Sequence, residues 1–140
     1  MTRLDFPLSL KKGDKFSFNI KYWYNINDRL KLGGRSGYEY FKEDANYLYT
    51  IAQFFSRMCA YNDIEGWQHN QFLGSGEFTL IFWDYTVNIT VPSDHLVAAT
   101  GTLQNVDKIL NKQQLEKYRK SDNEFNSPIF ITSQTEAIER

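Results

Sequence analysis

Ser36-Gly37-Tyr38-Glu39-Tyr40-Phe41-Lys42-Glu43-Asp44-Ala45-Asn46-Tyr47-Leu48-Tyr49-Thr50-Ile51-Ala52 is the stretch on which the fold turns. Its first four residues match a capping box, in which the Ser36 hydroxyl would accept from the third helical N–H and Glu39 would reach back. Phe41, Ala45, Leu48, Ala52, Phe55 and Cys59 then recur at spacings of four and three, thickened by Ile51 and Met58. Lys42, Asn46, Tyr49, Gln53 and Arg57 take the other side. That spacing predicts an amphipathic helix running to about Tyr61, with one stripe to lay on a sheet.

On either side of this segment the pattern has period two. Phe6, Leu8 and Leu10 alternate ahead of the turn residues Lys11-Lys12-Gly13-Asp14, and Phe16, Phe18, Ile20, Tyr22 and Tyr24 alternate after them. A β-hairpin with one buried face is expected. Downstream, Phe78, Leu80 and Phe82, then Val87, Ile89 and Val91, alternate with polar residues around a turn at Asp84. Gly74-Ser75-Gly76 can turn a shorter strand, Gln68 to Phe72, into the first. This predicts a three-stranded meander. His95 to Ala99 reads as one helical turn stopped by Gly101. Val106, Ile109, Leu110, Leu115 and Tyr118 predict helix with a phase slip near Asn111, and Pro128 to Ile131 a short late strand.

The expected fold is therefore α+β. A mostly antiparallel sheet of about five strands, ββαβββ, would carry one main amphipathic helix on a face, with a helical C-terminal region. Residues 1–140 fit a single domain of ordinary size, frayed at its last residues. Hydrophobic residues at 41% and charged residues at 24% are globular usage, and 16% aromatic content places much of the buried area in a few large rings.

Composition also excludes function classes. No run approaches the ~20 apolar residues of a membrane span, and Met1 to Leu10 builds no signal-peptide core, so a cytoplasmic chain without membrane attachment is expected. Cys59 is the single cysteine, which rules out an internal disulfide and a thiolate zinc site within one chain. No His-x-x-x-His or Asp-x-Asp cluster is present, and no metal or cofactor is expected. Asn88-Ile89-Thr90 fits the glycosylation pattern but lacks the secretory context that would give it meaning.

The net charge of −1 argues against general nucleic-acid binding, yet it conceals a segregation. Residues 1–35 hold eight basic groups against three acidic, a net of +5. Residues 36–104 set Lys42 and Arg57 against eight carboxylates, a net of −6.

Three groups of residues are candidates for chemistry. Arg29, Lys31, Gly33, Gly34, Arg35, Ser36 and Gly37 form a basic, glycine-rich loop before the expected helix. There free N–H groups and the helix dipole would receive a phosphate-containing small ligand; as a plain connection, the same glycines serve turn geometry. His69 and His95 are the only histidines, and each becomes a general base if a carboxylate orients it, while Cys59 belongs to the buried stripe. No nucleophile motif accompanies them, and no catalytic residue is assigned. Glu39, Glu43, Asp44, Asp63, Glu65, Trp67, Trp83, Asp84 and Tyr85 combine carboxylates with aromatic anchors, the composition of a surface for a protein partner with a basic face. The expected function is a small binding protein that occludes or regulates a macromolecule, of the immunity or anti-defence inhibitor kind, with phosphate or nucleotide binding as the alternative. The inhibitor reading requires the acidic groups of 36–104 to gather on one side of the molecule.

Overall fold

The computed structural model describes residues 2–70, 79 and 81–139. Their elements are α1 (Arg29–Leu32), β1 (Gly37–Phe41), β2 (Asn46–Thr50), β3 (Tyr61–Asn62), β4 (Gly66–Trp67), α2 (Val106–Ile109), α3 (Lys112–Ser121) and α4 (Gln134–Ile138). Two compact units result, Met1–Asp84 and Tyr85–Arg140. No helix among the described residues is long and apolar enough to cross a membrane.

This overturns the five-stranded ββαβββ sheet with its main helix. The described residues instead form two separate two-stranded antiparallel sheets, β1 with β2 and β3 with β4. The decisive stretch is a hairpin. Tyr38 pairs with Tyr49 and Tyr40 with Tyr47, around a turn at residues 42–45 in which Ala45 takes φ 53°. A run this rich in tyrosine, with Thr50 and Ile51 at its end, suits a pleated surface, where rings pack across strands, better than a helix, where they lose rotamer freedom. Both residues of the expected capping box go elsewhere. The Ser36 hydroxyl accepts from the Ala52 N–H (2.9 Å) and donates to the Ala52 carbonyl (3.2 Å), and Glu39 pairs with Arg29.

The loop before the hairpin contains a helical turn. Asp28 caps α1, accepting from the N–H groups of Leu30 (3.0 Å) and Lys31 (3.3 Å), and Gly33 ends it at φ 72°. The chain from Asn27 to Arg29 runs close against β1, with Tyr38 N–H donating to the Asn27 carbonyl at 2.8 Å. Only glycine fits at position 37: φ is 150°, and a Cβ there would lie 2.6 Å from the Asn27 carbonyl oxygen and 2.9 Å from Arg29 Cβ.

The expected N-terminal hairpin forms its turn but no ladder. Asp14 N–H donates to the Lys11 carbonyl, and the Asp14 carboxylate accepts from Lys11 N–H. The flanking runs meet through rings, Phe6 lying 4.3 Å from Phe16 and 6.1 Å from Phe18, and Pro7 has no N–H to offer a partner strand. In the expected meander, Gln71 to Phe78 and Leu80 lie outside the described residues, while 81–91 contain no strand. His95 closes a turn on Pro92 without a helix following, and Pro128 to Ile131 form no strand.

In Tyr85–Arg140 the phase slip near Asn111 coincides with a cap. Asn111 accepts from Gln114 N–H (2.9 Å) while the Gln114 side chain accepts from Asn111 N–H (3.2 Å), which starts α3 afresh after α2. Ser133 and Glu136 repeat the device at α4. Gln114 is buried and donates to Thr132 Oγ1 (3.2 Å), and Lys117 pairs with Glu136 (3.6 Å). Gly37, Ala60 and Gln114 are the buried residues among those described.

Candidate functional site

Large apolar side chains are exposed along much of the described chain, so exposure by itself selects no site. What distinguishes two places in Met1–Asp84 is a shared construction: a cross-strand aromatic pair directly beside an acidic turn. In the first hairpin the register puts Tyr38, Tyr40, Tyr47 and Tyr49 on one face. Tyr47 sits among the other three, at ring-centroid distances of 4.8 Å to Tyr40, 5.9 Å to Tyr38 and 6.0 Å to Tyr49. Such contacts hold rings in place at about 0.5–1.5 kcal/mol each beyond area burial. Tyr40, Tyr47 and Tyr49 remain 44%, 55% and 41% exposed, enough for a partner to cover them. The turn that follows, Lys42-Glu43-Asp44-Ala45, presents exposed carboxylates, and among the described residues neither Glu43 nor Asp44 is ion-paired.

The second hairpin repeats this on a smaller scale. Tyr61 pairs with Trp67, rings edge to face at 5.1 Å, and the turn between them carries Asp63 and Glu65. The Asn62 side chain shapes the turn by accepting from the N–H groups of Ile64 and Glu65, and Gly66 supplies φ 71°. Glu65 is partly engaged, accepting from Gln68 Nε2 at 2.8 Å.

The expected sites are thus partly regrouped. Glu43 and Asp44 stand at one tip, Asp63, Glu65 and Trp67 at the other. Trp83 and Asp84 close the first unit and Tyr85 opens the second. Glu39 is taken by Arg29, which joins a member of the acidic group to a member of the basic loop. Arg29 and Lys31 are on α1, where Lys31 also pairs with Asp28 (3.3 Å), while Gly33, Gly34 and Arg35 lead to Ser36 and Gly37 at the hairpin base. That loop enters a strand, so the helix N-terminus the phosphate reading relies on is not there. The cavity at this base, lined by Tyr24, Asn27, Ser36, Gly37, Thr50 and Ile51 among others, measures about 150 Å³ and lies below the roughly 300 Å³ at which small-molecule sites begin.

His69 and His95 each make a hydrogen bond within two residues in sequence. His69 Nδ1 lies 2.6 Å from the Trp67 carbonyl, to which it donates. His95 Nδ1 is 2.7 Å from the carboxylate of its neighbour Asp94, and that hydrogen bond holds the Asp94 carboxyl below the usual range. Among the described residues no three His, Cys, Asp or Glu side chains gather as metal ligands. The tyrosines are what sequence reasoning missed. Their signal is the doubled Tyr-x-Tyr at 38–40 and 47–49, spaced about a polar turn. No family model matches the chain, and no curated protein or solved structure shows significant similarity to it.

Proposed function

We propose that the chain is a binding protein that occludes or regulates a protein partner bearing a basic surface, in the manner of an immunity or anti-defence inhibitor. The observation that supports this reading is the repeated pairing of fixed, exposed aromatic rings with a carboxylate turn in Met1–Asp84. Aromatic anchors supply desolvated contact area at low entropic cost, and the adjacent carboxylates favour a cationic partner and repel an anionic one.

The test is capture from the native host by the wild-type chain and by a Glu43→Lys, Asp44→Lys variant, followed by assay of the captured protein with added inhibitor. The reading expects one basic partner, loss of that partner's activity on binding, and capture weakened roughly tenfold or more by charge reversal. Identical capture by both chains removes the acidic turn from recognition, and a partner whose activity is unchanged removes the inhibitor role.

A further inference from the structure

We propose that the tyrosine face of the β1–β2 hairpin receives arginine side chains of the partner, guanidinium planes lying on Tyr40 and Tyr47 with Glu43 and Asp44 as their charge partners. This rests on the binding reading above and specifies which face and which chemistry perform it.

Two observations lead here. Each ring presents a negative π face, and a guanidinium within ~6 Å of a ring centroid is attracted to it, more so as the site loses water. The same unit already makes such a contact, with Arg57 at 5.6 Å from the Phe55 ring centroid. Finally, Glu43 and Asp44 outnumber Lys42 in the turn and have no ion-pair partner among the described residues. Tyrosine faces also stack nucleobases, but carboxylates beside the rings oppose a phosphate backbone. Arginine fits better than lysine because its planar group stacks and still donates in-plane to carboxylates.

The experiment titrates the full chain with a fluorescent hexapeptide of alternating arginine and serine at about 0.15 M salt, beside lysine and citrulline versions and an oligothymidylate. Arginine should bind best and citrulline worst, with the oligothymidylate not competing. Tyr40→Leu with Tyr47→Leu should weaken arginine-peptide binding roughly five- to twenty-fivefold, whereas Tyr40→Phe with Tyr47→Phe, which keeps both π faces, should hold it within about twofold. Glu43→Gln with Asp44→Gln should weaken it as well, and by less as salt rises. Equal binding of arginine and citrulline peptides, displacement by the oligothymidylate, or full binding by the leucine pair overturns the assignment. If the leucine pair does not fold, the glutamine pair decides, and unchanged binding there overturns it equally. Capture of a basic host partner together with no arginine-peptide binding discards this face and leaves the binding reading standing; arginine-peptide binding without any host partner does the reverse.

Discussion

The two units are held by different kinds of interaction. Met1–Asp84 relies on pairings that close across strands and loops: Tyr40 against Tyr47, Arg29 with Glu39, and the Tyr22 hydroxyl donating to the Phe54 carbonyl at 2.7 Å. Tyr85–Arg140 relies first on hydrogen bonds three residues apart, the reciprocal caps at Asn111–Gln114 and Ser133–Glu136, to which Gln114–Thr132 and Lys117–Glu136 add longer ties. Local caps tolerate change around them, because each end carries its own partners. A hairpin set against α1 depends on a few positions where nothing else fits.

That contrast has a convenient readout, since Trp23, Trp67 and Trp83 all lie in Met1–Asp84 while α3 lies in the other unit. Tryptophan fluorescence follows the first and helical ellipticity chiefly the second. The largest effect is expected from Gly37→Val, which adds a clash with the Asn27 carbonyl to a strained φ and should cost about 2–4 kcal/mol in urea unfolding followed by fluorescence. An unchanged midpoint would break the comparison at its sharpest point. Next comes Gln114→Ala, which removes half of a capping box and the bond to Thr132 at a buried position; about 1–3 kcal/mol should be lost, seen in ellipticity. Smaller again is Glu39→Gln, which keeps the shape and removes the charge facing Arg29. A loss of about 1 kcal/mol that shrinks in high salt is expected from fluorescence-detected unfolding.

The smallest effect is a pH dependence at α4. The Glu136 carboxyl is held below its usual value, first by the Ser133 N–H, next by the Ser133 hydroxyl, and more weakly by Lys117. Its folded pKa being depressed, the contribution of this carboxylate is complete above the ordinary value of about 4.5 and is lost as pH falls through the lower folded one. Acid titration of the Glu136 carboxyl resonance should place its midpoint below the ordinary glutamate value of about 4.5, and Glu136→Gln should remove the step from the ellipticity profile. A midpoint at the ordinary value would mean the carboxylate contributes nothing to the cap.

The same contrast explains what could be read from the sequence. Asn111 is legible because a cap announces itself within four residues, and Lys112 to Lys120 supply good helix formers after it. Ser133-Gln134-Thr135-Glu136 carries an equally local signal, obscured only by its nearness to the chain end. The 36–52 stretch offers two periods at once: Phe41, Ala45, Leu48 and Ala52 at helical spacing, and Tyr38, Tyr40, Tyr47 and Tyr49 in alternation about a turn. Choosing between them requires knowing that Arg29 returns to Glu39 and that Ser36 meets Ala52, and neither contact is encoded within a helical window. Of the site, the acidic turns were visible as composition, whereas the tyrosine face exists only once the register is known.

The Ser36 hydroxyl adds one more consequence. It stands in for a peptide group, completing a rung with Ala52 just outside the last true ladder pair, Gly37 with Thr50. A side chain can swing away by rotation about one bond while the backbone stays put, so the hairpin should unzip from its base before its turn end. The Ala52 amide should exchange with solvent deuterium ahead of those in β1, and replacing Ser36 with alanine should hasten that one amide while the tyrosine pairs keep their protection.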